Sequence, residues 1–232
     1  MLRVQLEPAY LLSVRPYRET SLLLEALTGG HGRVGLVARG ARAAKSKLRG
    51  VLQPFQRVLL SWSERGELGT LAGAEAEPGA TPHGEAVMAG WYLNELLLRL
   101  LQRRDPHPGL FEDYSAALEA QGGPDAEAGL RIFEKRLLAA MGYGLHLPES
   151  LLPEAWYDYD EEQGPRIGVG EAAPAYRGAS LLALAEERLE SAEALRDARR
   201  LLRVALSRHL GERALETPRL FRALRKVVAA DA

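Results

Sequence analysis

The sequence predicts an α+β multidomain protein: a five-stranded N-terminal β-barrel followed by a mainly α-helical domain. Three observations carry this reading. Five short apolar or alternating runs crowd into the first 77 residues. A stretch with two prolines and two glycines, Pro78 to Gly84, then interrupts the pattern. Beyond it, apolar residues recur with the 3.6-residue period of helices. The expected domains are 1–79 and 85–232, with an irregular, cysteine-free insertion at about 144–178.

The strands are read in order. Tyr10-Leu11-Leu12-Ser13-Val14 is a short run ended by Pro16. Ser21 to Leu27 follows, closed by the turn signal Gly29-Gly30. Arg33 to Ala38 alternates apolar with small or polar positions. Val58 to Trp62 and Glu67 to Leu71 flank Glu64-Arg65-Gly66, a hairpin turn by composition. Five strands with one longer basic connection, Arg39 to Pro54, suit a closed barrel of the OB type. Pattern alone leaves an SH3-like barrel open as the alternative.

The helices follow. Met88, Trp91, Tyr92, Glu95-Leu96 and Leu100 form one strongly apolar stripe. Asp105-Pro106 reads as a helix start, because Asp can cap and Pro suits a first turn. Leu110, Phe111, Tyr114 and Leu118 continue, and Gly122-Gly123-Pro124 breaks the run. Leu130, Phe133, Leu137, Leu138 and Met141 share a helix face that Gly142 is placed to end. Residues 144–178 hold four prolines and an acidic patch, Asp158, Asp160, Glu161 and Glu162, with one hairpin expected. Helices resume over 181–189 and 192–210, and Thr217-Pro218 opens a last one to Val228.

Composition limits the chemistry. Hydrophobic residues are 47% and charged residues 26%, enough apolar mass for a core. Absence of cysteine removes disulfides, thiolate zinc sites, iron–sulfur clusters and thiol catalysis together. No apolar run approaches the ~18 residues of a membrane span, and Glu7 comes too early for a signal peptide. A soluble, cytoplasmic protein is expected. There is no P-loop or nucleophile elbow, and the five histidines lack metal-ligand spacing. No catalytic or metal-ligating residue is therefore assigned.

Charge distribution supplies the strongest functional signal. The net charge is only −1, yet Ala26 to Ser63 contains no acid and carries Arg33, Arg39, Arg42, Lys45, Lys47, Arg49 and Arg57. Small residues between these cations let the backbone approach a phosphate chain, and cations on phosphates release condensed counterions. Arg39 and Arg42 are the first candidates for nucleic-acid phosphate contacts, followed by Arg33, Lys45, Lys47 and Arg49. Tyr17, Phe55 and Trp62 are the nearby aromatics able to stack bases, though a small barrel claims at least two for its core. A solvated loop without a partner is the competing reading. A second stripe, Arg196, Arg199, Arg200 and Arg203, with Arg219, Arg222, Arg225 and Lys226 beyond, suits a solvated helix face or auxiliary phosphate contacts.

Ordered short segments add a family resemblance. They are Arg15-Pro16-Tyr17-Arg18-Glu19-Thr20-Ser21, His31-Gly32-Arg33, Val37 to Arg42, Leu52-Gln53-Pro54-Phe55 and Arg65-Gly66-Glu67-Leu68. In the helical part they are Tyr92 to Leu97, Asp105 to Pro108, Leu110-Phe111 with Tyr114, Leu130-Arg131 with Phe133-Glu134, Gly142-Tyr143 and His209-Leu210-Gly211. Together they resemble the RecO family of bacterial recombination mediators, in a zinc-free branch. The resemblance implies an OB barrel and a helical domain. It implies binding of single- and double-stranded DNA, ATP-independent annealing, and loading of RecA in the RecF pathway. It implies RecR and the acidic tail of the single-stranded-DNA-binding protein as partners, and nucleoid association during repair. It places Arg131 at the tail carboxylate, beside Leu130 and Phe133. Many members carry a four-cysteine zinc module near 144–178; here no cofactor is expected. Two other readings compete: an RNA-binding OB protein, and a metal-dependent nuclease using Asp158 and Asp160.

Overall fold

The computed structural model describes residues 2–64, 66–160, 162–168, 175–211, 215–217 and 219–220. Contacts divide the chain into two units, 1–122 with 215–232, and 123–214.

The first unit holds β1 (Arg3–Tyr17), β2 (Ser21–Thr28), β3 (Gly32–Ala38), β4 (Arg57–Glu64) and β5 (Gly69–Ala76). They close in the order β1-β2-β3-β5-β4. β1 is longer than the sequence suggests. It pairs with β4 through its first half and with β2 through its second, and irregularities between Val4/Glu7 and Leu11/Ser13 let it bend between them. Pro16 lies inside it, opposite Leu22, one residue from the end, where little of the ladder is lost. β3 and β5 run parallel at Leu36↔Gly69 and Val37↔Thr70. This non-local pairing closes the five-stranded barrel in OB order.

Alternation on β4 sends Val58, Leu60 and Trp62 inward, where they meet Leu11, Leu24, Ala26 and Leu36. β2 is buried from Leu24 to Thr28, so its outer face is covered as well. The cover is helical. Asn94 of α1 (Ala86–Leu100) donates to the Leu12 carbonyl at 2.8 Å and accepts from the Tyr114 hydroxyl at 2.5 Å. Tyr10 packs on Phe111 and Tyr114 of α2 (Leu110–Ala120), with ring centroids 5.2 and 5.1 Å apart. Burial holds the Tyr114 phenol well above its ordinary pKa. These apolar and hydrogen-bonded seams put α1 and α2 with the barrel. The contact-defined unit that holds the barrel therefore runs on to Gly122.

Asp105-Pro106 does not start α2. The helix is preceded by Gly109 in the left-handed region, at φ 83°. Residues 103–105 instead run along β3: Arg33 bridges to Arg103, and the Arg104 amide donates to the Arg33 carbonyl at 2.8 Å. They satisfy the part of the β3 edge that β5 does not reach.

The second unit holds α3 (Ala126–Ala140), a sheet ordered β7-β6-β8, α4 (Gly178–Ala185) and α5 (Ala192–His209). β6 (Trp156–Asp160) and β7 (Gly164–Ile167) form the expected hairpin, and β8 (Tyr176–Arg177) adds to the other edge of β6. Gly142, at φ 85°, ends α3 as expected. α4 stops at Ala185, short of the expected Leu189. Ser191 caps α5, its hydroxyl accepting the Ala194 amide at 3.0 Å. The last expected helix lies almost wholly outside the described residues, as do Arg222, Arg225 and Lys226.

Candidate nucleic-acid interface

The basic connection is an anchored loop. Ala41 and Leu52 are buried in the barrel core, and Leu48 and Val51 pack against it. A 3-10 turn, Lys47–Gly50, is capped by the Ser46 hydroxyl, which accepts from the Leu48 amide at 3.3 Å. With those apolar residues turned inward, Arg39, Arg42, Lys45, Lys47 and Arg49 are turned out. Among the described residues, Arg39, Lys45, Lys47 and Arg49 form no ion pair. Like charges held this way repel one another, and a polyanion relieves that repulsion.

Arg42 is partly engaged. Its Nη1 donates to the carbonyls of Arg18 and Glu19 at 3.3 and 3.1 Å, and its amide donates to the Thr20 carbonyl at 2.8 Å. The loop is thereby stapled to the β1–β2 turn. This brings Arg18, exposed in the turn, to the same rim, a residue the charge count overlooked because it is followed by Glu19. Arg15 is exposed on the adjoining strand.

Arg33 is placed differently from the loop cations. It points away from the rim, with its side chain only 16% exposed, and its Nη1 donates to the Leu98 carbonyl at 2.6 Å. Its Nε stands 3.8 Å from Glu25, which is also gripped by Arg103. Burial draws the Arg33 pKa below its ordinary value, while the hydrogen bond to Glu25 raises that of Arg103. This buried charge cluster sits on the outer face of β2 and β3. That face commonly carries the ligand in OB folds, and here it is filled. Phe55 and Trp62 are also core residues, and the Trp62 indole donates to Glu64 at 3.1 Å. Two of the three nearby aromatics are thus claimed by the core, as expected, and Tyr17 stays partly exposed, with the Arg18 guanidinium 5.2 Å from its ring centroid.

In the second unit, Arg131 is not the open fork the resemblance implies. Its guanidinium pairs with Glu134 at 3.1 Å, and the two side chains are 9% and 1% exposed. Phe133 is fully in the core and Leu130 only partly buried. The α5 arginines do share an exposed face, though Arg200 is tied to Asp197 at 3.1 Å and to the Ala175 carbonyl. Asp158 and Asp160 lie on the β6–β7 hairpin. Asp160 accepts the amides of Glu162 and Gln163 at 3.0 and 2.9 Å, which hold its carboxyl below the ordinary value. Glu161 lies outside the described residues. Among the described residues no cluster of His, Cys, Asp or Glu is built to hold a metal ion. The 144–178 segment contains no thiol, and Tyr157 and Tyr176, paired across β6 and β8, are buried. No described helix is long and apolar enough to cross a membrane.

Comparison with known families accounts for nearly the whole chain. Residues 1–78 match the model described as Recombination protein O N terminal, and residues 82–219 the one described as Recombination protein O C terminal. The chain belongs to the RecO family. It is 46% identical to the DNA repair protein RecO of Methylococcus capsulatus over 95% of this chain and 94% of that one. It is 47% identical to that of Alkalilimnicola ehrlichii, over 96% and 92%. The Coxiella burnetii RecO is 43% identical over 94% and 98%. The RecO barrel is thus the unit that carries the cationic loop.

Proposed function

We propose that this RecO-family chain binds single- and double-stranded DNA at the barrel rim and anneals complementary strands without nucleotide or metal. Annealing joins two polyanions, so a cationic surface must screen them, and it must do so without reading bases. The observation that supports this is the anchored loop presenting Arg39, Arg42, Lys45, Lys47 and Arg49 to solvent. The role is that of a mediator, not an enzyme, acting in the cytoplasm at the nucleoid. Its proposed partners are RecR and the acidic tail of the single-stranded-DNA-binding protein, and its proposed outcome is RecA loading.

The test is annealing of complementary oligonucleotides in chelator, comparing wild type with Arg39→Ala/Arg42→Ala. Loss in the double variant supports the rim. Annealing that survives moves the site to the α5 arginines. In parallel, log affinity for a single strand should fall against log salt with a slope of about −3.5, for about five phosphates at roughly −0.7 each. A slope near zero removes the proposal.

A further inference from the structure

We propose that Trp91 is a base-stacking residue that lets the barrel rim distinguish single-stranded from duplex DNA. The inference rests on the DNA-binding reading of the loop and adds a contact that charge alone cannot supply.

The helical stripe expected from sequence would bury Trp91. The structure leaves it 38% exposed, while Gly90, Leu93, Asn94, Leu96 and Leu97 of the same helix are buried. An indole in water forgoes the burial that normally stabilises it, so its exposure is informative beside a charged surface. Its position is fixed. The ring meets the buried Phe55 edge to face, with centroids 5.0 Å apart and planes at 68°. Gly90 allows this approach, because a Cβ there would stand 2.9 Å from Phe55 Cε1. Phe55 ends the basic connection, and Gln53, two residues earlier, donates to the Arg49 carbonyl at 2.9 Å. The exposed tryptophan is therefore coupled to the C-terminal end of the cationic loop. Glu95, one turn further on, is already occupied, by Arg99 at 3.4 Å and by the amides of Glu216 and Thr217.

These features fit one ligand chemistry, an unpaired nucleobase on a polyanionic backbone. Phosphates lie on the loop cations, and a splayed base lies on the indole. Phe55 and Trp62 cannot serve, being core residues. A duplex keeps its bases stacked, so it gains the phosphate contacts and not the ring. Stacking does not depend on base identity, which suits a protein that joins any sequence.

The test uses the full chain with a homopolymeric thymidine oligonucleotide and a blunt duplex. Trp91→Ala should weaken single-strand binding about 5- to 160-fold, the range for one stacked base. Duplex affinity and the salt slope should be unchanged, and Trp91→Phe should restore most of the loss. A second measurement does not depend on that variant folding. The chain has three tryptophans, and Trp62 is buried. In Trp156→Phe protein, single-stranded DNA should quench the fluorescence and duplex should not. Wild-type binding with a normal salt slope, no quenching and no effect of Trp91→Ala would overturn the stacking role and leave the DNA-binding reading intact. An equal loss on single strand and duplex would also overturn it. No salt-dependent binding by wild type would overturn the DNA-binding reading itself.

Discussion

The carbonyl of Asp105 lies against Gly32, in the space a Cβ at that position would occupy. Gly32 also has a positive φ of 63°. Two independent constraints thus require glycine here, and together they seat the α1–α2 connection on β3. Gly32→Ala is expected to cost about 2–4 kcal/mol, from strain and displaced backbone together. Gly40 has a similar φ of 67° but open space around it. Gly40→Ala should cost only about 1 kcal/mol. Chemical denaturation of the pair separates clash from strain; equal losses would show that the Asp105 approach contributes nothing.

Arg33 and Lys47 should behave oppositely. Arg33→Ala removes a cation from the Glu25 cluster and should lower stability by about 2–3 kcal/mol, with affinity per folded molecule unchanged. Lys47→Ala and Arg49→Ala should leave stability within about 0.5 kcal/mol. Each should reduce the salt slope on single strands by about 0.7. Thermal melts and salt titrations on the same preparations check both, and an unaltered slope in the loop variants would return those cations to a solvated surface.

Arg131→Ala should first unfold, not unbind. It breaks the buried Arg131–Glu134 pair by removing one partner, a change worth about 3 kcal/mol or more. Replacing both with Met should recover most of that loss, since a buried pair is often no better than an apolar one. The tail peptide is then measured on the stable double variant. Unchanged affinity there takes the tail clamp away from Arg131.

Asp160 carries an acid-side dependence. Its pKa lies below the ordinary 3.8, chiefly through the Gln163 amide, with the Glu162 amide and Arg166 adding to it. A depressed carboxylate stabilises above its unfolded pKa and loses that contribution as pH falls through the lower folded value. The Gln163 amide shift, followed by NMR, should therefore titrate below pH 3.8 and lose its step in Asp160→Asn. A midpoint above 3.8 would contradict the turn geometry.

Much of the fold is legible along the chain. Short alternating runs, the Pro78–Gly84 linker and the period-3.6 stripes mark five strands and the helices, because each depends on neighbours within a few residues. Five strands with one longer connection pointed to the OB order, but the pairing that closes it, Leu36↔Gly69, joins distant residues and is seen only in the structure. Asp105-Pro106 misled because its capping chemistry is local while its placement is set by the β3 edge.

The candidate site divides in the same way. Sequence by itself determined that seven cations and no acid fall between Ala26 and Ser63, since charge is a property of residue type. Only the tertiary structure decided which of them reach solvent. Arg33 turns to Glu25 and Leu98, and Arg42 staples the β1–β2 turn. Orientation is a property of packing: a side chain faces outward where apolar neighbours such as Ala41 and Leu52 fill the interior.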